Sequence, residues 1–311
     1  MDRRRLVQLI GTGVAVGIAG CSSDNPDNPG GGNDSTDTTV NTATDTDTET
    51  ETETETETET ATEAPEPAEF EVVEYNIPET VEIGTEVTLE ITIRNTGGQS
   101  GDYSEPIHVR TPDSDWQEGG DWVFTDVAPG ESMTGESDEP VVFDYIQRYE
   151  FRLGQSSKTT VLQTVSAKVP WGEEYTTPPG YRIRADTPTL QDSYESEDYQ
   201  GNIVDTEPEN GGQWAFVNVW VKNETGQTNF SPLQNEFGLL YDSSQSDGET
   251  YLIDEPINKD ESFEGGELQP GVERSGWIAF AIPSGIQLNE LTLAWSQDTF
   301  QGQIAANWGV F

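Results

Sequence analysis

Apolar and polar side chains alternate with a period of two along most of the chain after residue 70. Val87, Leu89, Ile91 and Ile93 are separated by polar residues, as expected for a strand with one buried face. The turn residues Asn95-Thr96-Gly97-Gly98 follow directly,. Short strands separated by turns, about 8–12 residues apart, predict an all-β sandwich. Similar apolar runs occur at Trp122–Phe124, Val141–Phe143, Tyr149–Leu153 and Thr159–Val165.

The second half of the chain repeats this order of features. The strand Ala215–Val221 ends at Asn223-Glu224-Thr225-Gly226, and Leu268-Gln269-Pro270-Gly271 precedes the strand Trp277–Ile282. In the first half the matching turn is Ala128-Pro129-Gly130. We therefore predict two β-sandwich domains, at residues 70–168 and 175–311, with a break near residues 170–179. Because turn-rich β proteins converge on such features, the repeat supports a shared architecture more than a shared origin.

Residues 22–69 have a different composition. Val40 is almost the only large apolar residue there, and Thr alternates with Glu from Glu49 to Thr60. Such a segment buries too little apolar surface to offset the entropy of ordering, which predicts a disordered Thr/Glu/Asp-rich linker. The linker is either a spacer or a solubilising connection, and its dense threonines are candidates for O-glycosylation.

The amino terminus has the pattern of an export signal. Arg3, Arg4 and Arg5 precede an apolar run, Leu6–Ala19, and small residues lead to Cys21,. A helix of that length spans about 21 Å, less than the roughly 30 Å of a bilayer core. The paired arginines resemble a twin-arginine export motif. Residues 18–21 resemble a lipobox, which implies cleavage after residue 20 and lipidation of Cys21, the only cysteine. Residues 1–21 are therefore predicted to place the protein, lipid-anchored, on the extracellular face of the cell membrane.

The chain is strongly acidic. It has 59 Asp and Glu against 14 Lys and Arg, a formal net charge of −45, and from residue 70 onward 43 acidic residues against 11 basic ones. Self-repulsion of this size destabilises a compact domain, but in about 1 M salt the Debye length falls to about 3 Å. The composition resembles that of haloarchaeal proteins, and the alternative is a secreted acidic protein that binds cations or basic partners. Nucleic acid is excluded as a partner because its phosphates need a basic surface.

Residues suited to catalysis or metal binding are scarce. His108 is the only histidine, so a nucleophile with a neighbouring base cannot be assembled, and the usual zinc and copper ligand sets are missing. We therefore predict no enzyme activity, no cofactor and no metal site. Two acidic loops fit no EF-hand spacing, and whether they bind calcium or are solvated turns stays open. They contain Asp113, Asp115, Glu118 and Asp121, and Asp242, Asp247 and Glu249.

Aromatic residues of the second half form a candidate binding face. Trp214, Phe216 and Trp220 alternate with the valines of one strand, and Trp277 alternates in the same way on another. Such a face is covered by the first domain or by residues 181–204, or it contacts a protein partner, or it binds a glycan. Candidate N-glycosylation sites are Asn33, Asn223 and Asn229,.

Four segments of the second half carry a family resemblance: residues 217–223, 239–242, 266–271 and 275–280. In these the chain resembles the DUF4352 group, immunoglobulin-like sandwiches of exported proteins that are similar to mycobacterial secreted antigens. The first domain resembles a CARDB-type adhesion module more loosely. These resemblances imply a fold and no catalytic residues.

The sequence thus predicts a non-enzymatic, lipid-anchored cell-surface protein of a halophile, with two β-sandwiches for adhesion, envelope interaction or partner binding. Its partners are the membrane, through the lipid, and an envelope protein or glycan. The alternative is a solute- or glycan-binding accessory lipoprotein that uses the aromatic face of the second domain.

Overall fold

A computed structural model of the chain describes residues 65–208, 211–248 and 255–311. In these residues the regular structure consists of β-strands and two short 3₁₀ helices, Gln234–Glu236 and Leu288–Glu290, with no α-helix, which confirms the predicted all-β fold. The same residues contain no helix that is long and apolar enough to cross a membrane. Arg3, Arg4, Cys21 and Asn33 lie outside the described residues, as do nearly all of the predicted linker and Glu249.

Ten strands between Phe70 and Val165 form what we call the N-terminal sandwich. Its sheets have the strand orders β1-β4-β7 and β2-β10-β9-β5-β6, and β3 pairs with β8. Apolar side chains of both sheets form one buried cluster that includes Ile91, Phe151 and Leu162. The strands are β1 (Phe70–Asn76), β2 (Thr80–Glu82), β3 (Glu86–Val87), β4 (Glu90–Asn95), β5 (Gly101–Arg110), β6 (Gln117–Val127), β7 (Ser132–Glu136), β8 (Val141–Val142), β9 (Arg148–Leu153) and β10 (Thr160–Val165).

The strand predicted from Val87 to Ile93 is two strands in the structure. Val87 belongs to β3 and pairs with β8, whereas Ile91 and Ile93 belong to β4 and pair with β1 and β7. Leu89 lies between the two strands and is still buried. Because burial continues across the break, the alternation of apolar residues does not reveal it.

The strands from Ala167 to Gly309 form the C-terminal sandwich. One sheet has the order β11-β24-β23-β19-β20, and the other has the order β12-β13-β17-β14 with β22 paired to β17. Trp295, Trp308 and Phe280 are fully buried between them. The strands are β11 (Ala167–Pro170), β12 (Glu174–Thr176), β13 (Tyr181–Ala185), β14 (Thr189–Gln191), β15 (Tyr194–Glu197), β16 (Ile203–Thr206), β17 (Gln213–Asn223), β18 (Asn229–Ser231), β19 (Phe237–Tyr241), β20 (Ser244–Asp247), β21 (Gly266–Leu268), β22 (Glu273–Ile282), β23 (Thr292–Thr299) and β24 (Gly302–Gly309).

The connection between the two sandwiches lies earlier than the break predicted at residues 170–179. Strand β10 ends at Val165, and β11 begins at Ala167 and pairs in parallel with β24 of the C-terminal sandwich. Strand β12 also lies inside the predicted break and pairs with β13. Pro170 suggested a linker, but it ends an edge strand, where a residue without an N–H group is tolerated.

The two sandwiches share a packed junction. Ile83 and Tyr145 of the N-terminal sandwich belong to the buried cluster of the C-terminal one, and Ile146 packs against it. The Ile146 N–H group donates to the carbonyl oxygen of Gln303 at 2.7 Å. The Tyr145 hydroxyl donates to the side-chain oxygen of Gln301 at 2.5 Å. The junction therefore combines apolar packing with hydrogen bonds instead of relying on a free linker.

We expect Tyr145→Ala to separate the unfolding of the two sandwiches. The change removes a ring that is 9% exposed and its hydrogen bond to Gln301, at a cost of about 2 kcal/mol. Differential scanning calorimetry of the full chain should show one transition for the native protein and two for the variant. Tyr199→Ala, which removes a ring that is 93% exposed, is the control. A single unchanged transition in the Tyr145 variant would contradict the proposed coupling.

Asn95 fixes the turn after β4 through its side chain. Its amide nitrogen donates to the carbonyl oxygens of Gln99 at 2.8 Å and Val127 at 2.9 Å, and its side-chain oxygen accepts from the Gly97 N–H at 2.9 Å. Its own carbonyl oxygen accepts from the Gly130 N–H at 2.8 Å. One buried asparagine thus holds two turns together.

Asn223 makes the same set of bonds at the end of β17. Its amide nitrogen donates to the carbonyl oxygens of Gln227 and Leu268, both at 2.8 Å. Its side-chain oxygen accepts from the Thr225 N–H at 2.9 Å, and its carbonyl oxygen accepts from the Gly271 N–H at 2.7 Å. The repeated sequence features therefore correspond to a repeated hydrogen-bonded structure, which we call the asparagine corner.

Candidate functional site

The predicted aromatic face lies on the outer side of the sheet that contains β17 and β22. Trp214 and Phe216 lie on β17, and Trp277 lies beside them on β22. The ring centre of Phe216 is 5.5 Å from that of Trp277 and 6.3 Å from that of Trp214. Tyr194 of β15 joins them at 5.8 Å from Phe216. The structure thus brings three of the four predicted aromatic residues together in one cluster, which we call the aromatic cluster.

Of the alternatives left open for these three residues, the structure supports cover, because the side chains of the aromatic cluster are buried beneath other segments of the chain. Trp214, Phe216 and Trp277 are only 6%, 3% and 7% exposed. The hairpin of β15 and β16 lies over one side, where the Trp214 indole N–H donates to the carbonyl oxygen of Thr206 at 3.2 Å. Residues 181–204 were one of the two covers considered from the sequence, and strand β15 lies within that range.

A second segment, residues 255–263, completes the cover. The Trp277 indole N–H donates to the carbonyl oxygen of Asp260 at 2.5 Å, and the Phe263 N–H donates to the carbonyl oxygen of Trp277 at 2.8 Å. Gly276 makes this approach possible, because a Cβ atom there would lie 2.5 Å from the Phe263 nitrogen. Both cover segments are therefore bonded to the aromatic side chains or to their strand.

Lys259 places its ammonium group 4.2 Å from the ring centre of Phe216, within the range of a cation–π interaction. Burial lowers the pKa of Lys259. Within the ranges that the structure describes, no carboxylate forms an ion pair with this lysine. The ammonium group thus contributes to the cover through the ring.

Trp220, the fourth predicted residue, lies outside the aromatic cluster and is half-buried. The guanidinium carbons of Arg184 and Arg182 lie 5.3 Å and 5.9 Å from its ring centre. A hydrogen bond from Lys222 lowers the pKa of Glu224. The cations around Trp220 are all paired with acidic residues. These acidic partners are Glu174, Glu224 and Asp186.

Residues 186–305 match the family model of DUF4352, a domain of unknown function. The match begins after β13 and ends within β24, so it includes the aromatic cluster and both cover segments. No curated protein was found to match the chain. The predicted resemblance to DUF4352 is confirmed, because the match includes all four segments that carried it, at residues 217–223, 239–242, 266–271 and 275–280. The match begins earlier than these segments, so the β15–β16 hairpin lies within the DUF4352 domain.

Outside the DUF4352 domain, the structure brings together a group of residues that the sequence analysis missed. Arg110 of β5 lies opposite Glu150 of β9, and His108 lies opposite Arg152. The guanidinium carbons of Arg110 and Arg152 lie 4.4 Å and 4.5 Å from the ring centre of Trp116. We call Arg110, Trp116 and Arg152 the arginine–tryptophan cluster.

A signal for this cluster was present in the sequence. Arg148, Glu150 and Arg152 alternate with buried residues along β9, so all three project from the outer face of the sheet. Two arginines on one short strand are unusual in a region with 43 acidic and 11 basic residues. The contact of Trp116 with the two arginines could not be predicted. Trp116 lies in the loop between β5 and β6, and no pattern in the sequence places that loop beside the arginines.

The three candidate glycosylation sites have different outcomes. Asn223, in the DUF4352 domain, needs correction: it is fully buried, and its amide nitrogen is bound to two carbonyl oxygens. In the folded protein that nitrogen is not accessible to a glycan. Asn229 is exposed at the start of β18 and remains a candidate. Asn33 lies outside the described residues.

Metal binding gains no support in the described part of the chain. Residues 65–208, 211–248 and 255–311 contain no group of three or more His, Cys, Asp or Glu side chains that could hold an ion. Asp242 and Ser243, both at positive φ (39° and 64°), form the two-residue turn between β19 and β20,. His108 is half-buried on β5. Two open grooves of about 580 Å³ each contain neither the aromatic cluster nor the arginine–tryptophan cluster.

Proposed function

We propose that this chain is a non-enzymatic, lipid-anchored cell-surface protein of a halophile that presents two β-sandwiches for binding to an envelope component. The observation that carries the proposal is the packed junction at Tyr145 and Ile146. A junction of this kind keeps both sandwiches in a fixed relation, which suits the presentation of a surface. An enzyme that closes on its substrate needs parts that move against each other.

The charge distribution supports an exposed location in salty surroundings. From residue 70 onward the chain carries 43 acidic and 11 basic residues, and most of the acidic side chains lie at the surface. At molar salt their mutual repulsion is screened. At low salt the same carboxylates would destabilise the compact state.

The covered aromatic cluster supports this proposal over the alternative, a solute- or glycan-binding accessory lipoprotein that uses that face. Trp214, Phe216 and Trp277 would bind a ligand only after the cover had moved. The buried indole N–H groups of Trp214 and Trp277 already donate to the cover. Such bonds indicate a permanent structural contact.

We expect Cys21→Ser to release the protein from the membrane. The native chain, extracted from membranes of a halophilic host, should begin at Cys21 and carry the mass of attached lipid. The Cys21→Ser chain should be secreted or keep residues 1–20. Mass spectrometry of membrane and medium fractions checks both. A second variant, Arg3→Lys with Arg4→Lys, should stay inside the cell and separates export from anchoring. A native chain without lipid would overturn the anchored part of the proposal.

A further inference from the structure

The cover of the aromatic cluster, residues 194–206 and 255–263, is strongly acidic. It carries seven acidic residues and one basic residue, whereas the chain from residue 70 onward has 43 acidic and 11 basic ones. The single basic residue, Lys259, places its ammonium group over the ring of Phe216. The acidic residues are Glu195, Glu197, Asp198, Asp205, Glu255, Asp260 and Glu261.

Strand β15 presents two exposed carboxylates, Glu195 and Glu197, on the face that points away from the aromatic cluster. Asp205 of β16 is also exposed and lies directly opposite Glu195. The Cβ atoms of directly opposite residues are about 5 Å apart, and like charges in this arrangement destabilise a pair of strands. The hairpin therefore forms against repulsion between its own side chains.

The second cover segment adds a fourth carboxylate beside these three. Ser196 forms an antiparallel bridge with Pro256, and the next pair in the same register is Glu197 with Glu255. The side chain of Glu255 is exposed. Four carboxylates on three neighbouring segments thus form what we call the acidic row: Glu195, Glu197, Asp205 and Glu255.

In the part of the chain that the structure describes, no ion pair compensates the acidic row. The Glu195 carboxylate accepts a hydrogen bond from the side-chain amide of Asn258 at 2.8 Å, but an amide carries no charge. The carboxylates around Trp220, by contrast, are paired with arginine or lysine. Repulsion in the acidic row is therefore reduced only by the dissolved salt.

The cover is attached to the domain separately from the two large sheets. Strands β15 and β16 form a two-stranded sheet of their own, and such a hairpin is marginally stable by itself. The Trp214 indole N–H bonds to Thr206 of the hairpin, and the Trp277 indole N–H bonds to Asp260 of the second segment. Opening of the cover would break these bonds and leave strand pairing within both large sheets intact.

The salt concentration determines how strongly the acidic row repels itself. The Debye length is about 3 Å in 1 M salt and about 30 Å in 0.01 M salt, so carboxylates about 5 Å apart repel weakly in the first and strongly in the second. We propose that the cover is a salt-dependent lid. It is closed over Trp214, Phe216 and Trp277 at molar salt, and it opens in dilute solution while the two large sheets stay folded.

Opening of the lid would change the surface of the protein. The contact between cover and sheet is permanent in the salty surroundings proposed for the protein, and dilution of those surroundings would expose the aromatic cluster as an apolar patch. The opening depends on charge and not on the lipid anchor. A chain that proves not to be lipidated would therefore lose the anchored location and keep the lid.

The test is hydrogen exchange of the full chain, measured by mass spectrometry in a series from about 1 M to about 0.01 M salt. As the salt concentration falls, peptides from residues 194–206 and 255–263 should exchange at least about tenfold faster while β24, Gly302–Gly309, keeps its protection. A simultaneous loss of protection in the cover and in β24 would mean global unfolding and would overturn the proposal. Exchange of the cover that does not depend on salt would overturn it as well.

A pair of substitutions separates repulsion in the acidic row from other effects of salt. Glu197→Gln with Asp205→Asn removes two charges at nearly constant size, so it should lower the salt concentration at which the cover opens at least about threefold. The matched control, Glu290→Gln with Asp298→Asn, removes two exposed charges at and just before β23 of the other large sheet and should leave that concentration within about 1.5-fold. An unchanged opening concentration in the first variant, or an equal decrease in the control, would contradict the lid.

Discussion

Trp277→Ala should lower the free energy of unfolding by about 4 kcal/mol. The ring is 7% exposed and packs edge-on against Phe216 with ring centres 5.5 Å apart. Its indole N–H also donates to the carbonyl oxygen of Asp260 in the cover. The substitution therefore leaves a cavity and removes a bond that holds residues 255–263 against the sheet. Chemical denaturation of the full chain in high salt measures the loss.

The matched control is Trp220→Ala on the neighbouring strand of the same sheet. Trp220 is half-buried and lies outside the aromatic cluster, so its loss should cost about 1 kcal/mol. Limited proteolysis adds a second measurement: the Trp277 variant should be cut faster than the native chain within residues 194–206 or 255–263. If both variants lose the same small amount of stability, the cover is not a fixed part of the fold and the face is available to a ligand.

The all-β fold could be predicted because each strand carries its own local signal. In β4 and β9, residues with no exposed surface alternate with partly exposed ones, and that alternation follows from the strand geometry alone. The turns at Asn95 and Asn223 were also visible, because a strand that ends in Asn and Gly has few other conformations. Elements of this kind do not depend on distant parts of the chain.

Features that depend on contacts between distant segments were not predictable. The cover joins β15 to residues about 60 positions later, where the Ile257 N–H donates to the carbonyl oxygen of Glu195. The junction joins Tyr145 to Gln301, 156 residues apart. Neither partner in these pairs has a pattern that identifies the other, so cover by residues 181–204 was only one of several alternatives, and cover by residues 255–263 was not predicted.

The same limit applies to the candidate sites. The aromatic residues were selected because they alternate with the valines of the strand. Alternation shows that a face of the strand is apolar, but it does not show which segment packs against that face. The arginine–tryptophan cluster was missed because its members lie on two strands and a loop. The arginines of β9 follow the alternation of that strand, but no pattern in the sequence connects them to Arg110 and Trp116.

Asn223→Ala and Asn95→Ala should each lower the free energy of unfolding by about 3 kcal/mol, because both asparagines are fully buried and each donates two hydrogen bonds to carbonyl oxygens,. Removing the side chain deletes both donated bonds and leaves the N–H group of the turn, at Gly97 or Thr225, without its acceptor. Asn229→Ala, at an exposed position, should change stability by less than about 0.5 kcal/mol. Denaturant titration of the three variants measures these values.

The comparison between the two corners tests whether they are equivalent structural units. Each asparagine bonds the residue four positions later and a second turn far along the chain, at Val127 in one case and Leu268 in the other. Equal losses would follow from equal bonds, although the surrounding sequences differ. A loss at one position alone would mean that one corner is held by its neighbours. The similar sequence features would then reflect only common turn chemistry and not a shared means of fixing the strand ends.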